Sequence, residues 1–279
     1  MIDPRRTAIH SGIERLYHYQ SFQPEHLTTT LRENKIHFSD PSALNDPWDC
    51  RPWFDEEALD PEGIEALLTW ISSFPPIGNP SDAEIEAAKN TFRTNPQRRR
   101  AALQRFSEDF LKLIPNRWRI YCLTPVPDST LMWSHYADDH RGICLEFGTD
   151  ARLFASAVAV TYLADYPKWA PNLVASNAAE ILLTKSDDWV YEREYRLIGL
   201  GESAQRQATP LTLRGNFMHL PTGAIKSVIV GCEADFSQIE EIVRTAAQGL
   251  PIKRAVRSPN KYRLVIEDCR IDQDQELTA

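Results

Sequence analysis

The 279-residue sequence has no apolar run approaching the roughly 20 residues that a membrane-crossing helix needs. Its opening, MIDPRRTAIHSGIERLYHY, lacks the apolar core of a secretory leader. Excess positive charge is missing too. The formal net charge is -8, which excludes a global field that would draw the whole molecule onto nucleic acid or anionic membrane, though not a small basic groove. The five cysteines, Cys50, Cys122, Cys144, Cys232 and Cys269, include no C-x-x-C pair and suit a reducing compartment, so a cytoplasmic location is expected. There is no internal repeat, no low-complexity linker and no Gly-x-Ser-x-Gly elbow of a serine hydrolase. What is present is 42% hydrophobic residues, enough to core a single domain over residues 1–279.

The segment ERLYHYQSF, then QPEHLTTTLRENKIHFSD, reads as strand, helix, strand. PSALNDPWDC is rich in residues that cap and turn, so an ordered loop is expected there. From 61 to 113 the pattern becomes helical, with Ser81 and Glu84 spaced as a capping box, and this stretch reads as a helical insertion. The run Arg98 to Arg100 is a solvated helix face at its simplest, or a phosphate contact. Strands are then expected at WRIYCLTP, GICLEF, AVAVTYL, WVYEREYRLIGL, KSVIVG, PIKRAV and YRLVIED, with a helix at DFSQIEEIVRTAAQ. Strands on both sides of a helical block, without regular alternation, predict an α+β fold with mixed, mainly antiparallel sheets.

Four constellations carry chemistry. His18 lies between two tyrosines on the first strand, either as a half-buried hydrogen-bonded imidazole or as a donor to a ligand. NDPWD offers Asn45, Asp46 and Asp49, which either shape a turn or ligate a metal. MWSHYADDHRG packs Trp133, Ser134, His135, Tyr136, Asp138, Asp139, His140 and Arg141 into nine consecutive positions. Its two histidines are spaced wrongly for one helical face, so no metal is expected on them. In DWVYEREYRL, period-two counting puts Glu192, Glu194 and Arg196 on one strand face and Tyr191, Arg193, Tyr195 and Leu197 on the other. A salt-bridged ladder or one wall of a cleft would both read this way.

Through LYHY, FSDPSALNDPWD, LMWSHYADDHRG and KSDDWVYEREYR the sequence resembles a widespread bacterial family of unknown function. More remotely, His18 on a first strand, a second strand ending at Ser39 and a late E-x-E resemble the ADP-ribosyltransferases. That likeness implies a cleft for NAD, and transfer of ADP-ribose to a protein or nucleic acid by a glycosyltransferase reaction, as in a toxin or defence effector. It implies Glu194 as the catalytic carboxylate, Glu192 to orient the acceptor and His18 at a ribose or the nicotinamide amide. Tyr19 or Tyr136 would stack on nicotinamide. Further NAD contacts would come from Ser39, Asn45, Trp133, His135 and Arg196, with NAD consumed as substrate and no metal required.

Two alternatives stand beside it. One is a nuclease holding magnesium on Asp46, Asp49, Glu192 and Glu194, with Lys185 neutralising phosphate. The other is a ligand- or protein-binding module without catalysis.

Overall fold

The computed structural model describes residues 3–75, 80–200, 211 and 213–269. The alternating segment RLYHYQ makes strand β1 (Arg15–Gln20), with Leu16 and Tyr19 turned inward. Helix α1 (Pro24–Glu33) follows, opened by a proline whose missing N–H is not needed there and closed by Asn34 in the left-handed conformation. Its buried residues, Leu27 and Leu31, are four apart and make one stripe. Strand β2 (Lys35–His37) leads into the expected loop, where the Asp40 carboxylate accepts from the Ser42 amide and Asp46 from Trp48. Short strand β3 (Trp53–Phe54) ends it.

The helical segment comprises α2 (Pro61–Ser72), α3 (Asp82–Thr94) and α4 (Pro96–Arg117). The capping box is formed: Ser81 Oγ accepts from the Glu84 amide while Glu84 accepts from the Ser81 amide. The block runs four residues past the expected end at 113, and it is no appendage. Leu67, Leu68, Phe92, Leu103, Phe110 and Ile114 share a core with Trp118, Ile120 and Leu200, so the helices cover one face of a sheet. Within the arginine run, Arg100 pairs with Glu56 at 2.9 Å and Arg99 donates to the Arg93 carbonyl at 2.7 Å.

Beyond it come β4 (Trp118–Leu123), α5 (Thr130–Tyr136), β5 (Ile143–Gly148), α6 (Arg152–Ala155), β6 (Val158–Ala159), β7 (Thr161–Leu163) and β8 (Lys168–Trp169). Then follow α7 (Pro171–Asn177), β9 (Thr184–Ser186), β10 (Tyr195–Leu200), β11 (Phe217–His219), β12 (Ile225–Val230), α8 (Phe236–Ala246), β13 (Ile252–Arg257) and β14 (Leu264–Asp268). A five-stranded sheet has the order β1-β5-β12-β13-β14, antiparallel except between β12 and β13. A three-stranded antiparallel sheet has the order β4-β10-β6. The fold is α+β with mixed, mostly antiparallel sheets, as the sequence pattern predicts. No helix among the described residues is long and apolar enough to cross a membrane.

Helices α1 and α8 cover one face of the larger sheet, with Leu27, Leu31, Ile239 and Val243 against Val228 and Val230. Helix α5 covers the other, with Met132, Trp133 and Ala137 against Tyr19, Cys144 and Ile229. The two sheets meet edge to edge where Tyr17 and Thr124 exchange backbone hydrogen bonds of 2.7 and 2.9 Å. The polar residues singled out in the sequence collect at this seam.

One expected strand is corrected. Residues Asp187–Glu192 form a 3-10 helix, begun by Ser186, whose Oγ accepts from the Asp188 amide. Arg193 ends it in the left-handed conformation, at φ 47°, and β10 begins only at Tyr195. Ser-Asp-Asp is a helix-start signal, and it prevails over the period-two spacing of the glutamates.

Candidate functional site

Most of the sequence-predicted site residues line one cavity of about 230 Å³ at the seam, among them His18, Tyr19, Ser39, Asn45, Tyr136, Glu192, Glu194 and Arg196. The E-x-E-x-R residues therefore converge, although by a route other than a continuous strand. Glu194 and Arg196 remain two apart on one side of the chain, and the 3-10 turn swings Glu192 back beside them.

Buried ions are tolerable only when paired and hydrogen-bonded. Arg196 is 1% exposed, and all of its donor nitrogens are used. Nε donates to Glu194 Oε1 at 2.7 Å and Nη2 to Glu194 Oε2 at 2.9 Å. Nη1 and Nη2 grip the two oxygens of Asp49 at 2.9 and 2.5 Å, and Nη1 also donates to the Leu182 carbonyl at 2.8 Å. Lys185, on β9, donates to Glu192 Oε2 at 2.6 Å and Glu194 Oε2 at 3.3 Å, with Asp49 at 3.9 Å. Three carboxylates thus face two cations, a formal charge of -1 when all are ionised. The Trp189 ring lies 4.8 Å from Lys185 Nζ as an apolar cover.

The two glutamates are driven apart. Burial opposes the ionisation of Glu194, but Arg196 and Lys185 outweigh it and pull its pKa down to about 2. Burial, together with the neighbouring Glu194 charge, raises Glu192 above the ordinary carboxylate range, against the pull of Lys185. Glu192 Oε1 accepts from the Tyr136 hydroxyl at 2.5 Å, and that hydroxyl also receives Asn45 Nδ2 at 3.4 Å. Both Glu194 oxygens are committed to guanidinium or ammonium. Glu192 has one protein donor on each oxygen, which leaves lone pairs for a ligand.

His18 completes the cavity. Its ring stacks on Tyr121 at 4.2 Å, and Nδ1 meets the Cys122 carbonyl at 2.7 Å. A carbonyl only accepts, so Nδ1 carries the proton and Nε2 is the acceptor nitrogen. Cys122 itself also lines the cavity. Burial lowers the His18 pKa to about 4. A depressed folded-state pKa means that the unfolded chain takes up a proton, near pH 6.5, that the native state refuses. Stability should therefore fall as pH drops from about 6.5 toward 4, and His18→Gln should remove that part of the slope in denaturant titrations at pH 7 and pH 5.

Several assignments are corrected. Trp133 is fully buried under Tyr19, with Nε1 bonded to the Pro127 carbonyl at 2.9 Å, and it does not line the cavity. His135 is exposed on the outer side of α5, beside Trp189 and Tyr191 at 6.1 and 6.4 Å. Tyr19 borders the cavity, but its hydroxyl is spent on the Val126 carbonyl at 2.7 Å. Asp46 folds onto its own turn, and three of the four carboxylates of the nuclease reading are bridged by Lys185 Nζ and Arg196. No group of three or more His, Cys, Asp or Glu side chains is placed to hold a metal among the described residues. Sequence reasoning missed Thr124, which accepts from the Tyr17 amide through its carbonyl and donates through Oγ1 to the Glu192 carbonyl at 2.6 Å. Nothing in its sequence context marks it.

Residues 132–197 match the model of a family described as a protein of unknown function, DUF2971. That span runs from α5 to the start of β10 and holds Tyr136, Lys185, Glu192, Glu194 and Arg196. No curated protein and no solved structure matches the chain.

Proposed function

We propose that the chain binds the nicotinamide-ribose end of NAD in the seam cavity and transfers ADP-ribose to a macromolecular acceptor, with Glu192 as the carboxylate that acts on the ribose. The observation that carries this reading is the pairing of a Glu194 gripped by three cationic donors with a raised-pKa Glu192 that takes two donors and keeps lone pairs. Two carboxyl groups whose environments drive them apart divide into a structural and a reacting member.

The chemistry asks for this division. As nicotinamide leaves C1′ of the ribose, the bonding pair departs with the ring nitrogen and an oxocarbenium-like centre develops. A fixed anion beside it stabilises that charge. Glu192, held by Tyr136 and Lys185, would accept from the ribose 2′-hydroxyl and lie next to the growing cation. The site's net formal charge of -1 favours a cationic nicotinamide ring. His18 Nε2 is an acceptor suited to the carboxamide N–H. A cavity of about 230 Å³ is below the roughly 300–1,000 Å³ of sites that enclose a whole drug-sized ligand, so it fits one half of a dinucleotide with the remainder outside.

The test is incubation of the purified protein with NAD labelled in the adenylate half, with and without cell extract. Nicotinamide release, or label in protein or nucleic acid, supports the proposal. Absence of both, together with no heat of NAD binding by calorimetry, overturns it.

A further inference from the structure

A second cavity, of about 700 Å³, lies on the α5 side of the larger sheet, away from the charge network. It is walled by the β13–β14 connection and by residues flanking α5. We infer that this is a binding site for a single-stranded nucleic acid.

The first element is charge. In a chain of net charge -8, residues 251–266 read PIKRAVRSPNKYRLVI, with five cations and no acid. Arg257, Lys261 and Arg263 line the cavity against one carboxylate, Glu233, which is 3.4 Å from Arg257 with both side chains at least half exposed. So open a pair neutralises little of the local potential. The second element is Tyr262, whose ring is wholly exposed at the tip of the connection, where burial cannot explain an aromatic residue. Cationic side chains that follow a backbone, interleaved with an aromatic face on which a base can stack, are the recurring means of holding single strands. The third element is a polar residue in the wall. His140 lines the cavity, and its Nδ1 is buried with no hydrogen-bond partner among the described residues.

Position links this cavity to the first. Met132 and Tyr136 of α5 face the seam cavity, while Thr130 and, just past the helix, His140 face the second. From Thr130 to Tyr136 the helix rises about 9 Å at 1.5 Å per residue. A strand held in the second cavity therefore lies within one short helix of the seam. That it is also the ADP-ribose acceptor rests on the proposal above. Strand binding does not, because it is measured without NAD.

The test uses the full chain and a fluorescein-labelled oligothymidylate of about 12 nucleotides, within the roughly 4–16 that such sites cover. Fluorescence anisotropy should show saturable binding at low salt that weakens linearly on a log–log plot as salt rises. Tyr262→Ala, at a wholly exposed position, should weaken binding about 5- to 150-fold. Lys261→Ala with Arg263→Ala should reduce the salt slope by about 1.4. The inference is overturned if no saturable binding occurs, or if these substitutions change neither affinity nor slope. It is equally overturned if duplex DNA or phosphatidylserine vesicles bind more tightly than the single strand.

Discussion

Replacing Arg196 with methionine should lower the stability of the folded chain by about 3–5 kcal/mol, the usual cost of removing one partner from a buried ion pair. Methionine fills similar volume, so the loss would come from charge and not from a cavity. Without the guanidinium, Asp49 and Glu194 lose four hydrogen bonds between them, and Lys185 alone faces three buried carboxylates. Because folded proteins are stable by only about 5–15 kcal/mol, the variant stands close to unfolding. Lysine at this position should rescue little, since an ammonium cannot grip two carboxylates in two forks.

The pH dependence separates this mechanism from ordinary packing loss. In the wild type the Glu194 pKa is depressed, so its contribution is full above the unfolded value of 4.5 and is lost as pH falls toward about 2. Without Arg196, burial should raise the orphaned carboxylates instead. The native variant then binds protons that the unfolded chain releases, and its stability falls as pH rises. The deficit against wild type should therefore be larger at pH 7 than at pH 4, as read from denaturation midpoints. Adding Asp49→Asn to Arg196→Met should cost less than the sum of the two changes, because one orphan is removed. A deficit independent of pH, with additive double-variant behaviour, would contradict the account.

How much of this was legible in the sequence differs from residue to residue. The helical block, the capping box at Ser81 and the strands LYHYQ and ICLEFG follow from periodicity and local chemistry, which act over a few positions. The gathering of LYHY, NDPWD, WSHY and the E-x-E at one place was also readable, because each is a dense polar-aromatic cluster with no local reason to exist. The division of labour was not. Glu192 and Glu194 look equivalent by spacing, and only the left-handed Arg193 between them sends one to Tyr136 and the other to Arg196. Lys185 reads as a neutraliser of phosphate until β9 is seen to place it at the centre of the network. Trp133 and His135 share a motif with Tyr136, yet helical rotation buries the first, exposes the second and gives only the third to the cavity. The basic stretch at 253–263 was masked by the acidic total, since net charge averages over a surface on which ligands respond locally.

The same division sets the second large effect. Glu192→Gln should leave the fold intact and cut ADP-ribose transfer or nicotinamide release by about 10²- to 10³-fold, the range for losing one preoriented electrostatic stabiliser. Glutamine keeps the shape, its carbonyl oxygen accepting from Lys185 while its amide donates to the Tyr136 hydroxyl, so the loss should fall on kcat with the KM for NAD little changed. Glu194→Gln should behave differently. It takes half of Arg196's carboxylate partners away, so its first consequence is a lower denaturation midpoint, with turnover reduced only as far as Glu192 is misplaced. The pH profile distinguishes the two. Burial and the Glu194 charge hold the Glu192 pKa above the ordinary 4.5, and a carboxylate must be ionised to stabilise a cation. Wild-type activity should therefore decline on the acid side through that raised pKa. Glu192→Gln should abolish this limb, while Glu194→Gln should shift it downward, because the charge that raises Glu192 is gone. If a folded Glu194→Gln protein is the one that loses turnover a hundredfold or more, and Glu192→Gln keeps its acid limb, then the reacting carboxylate is Glu194 and Glu192 only anchors Lys185.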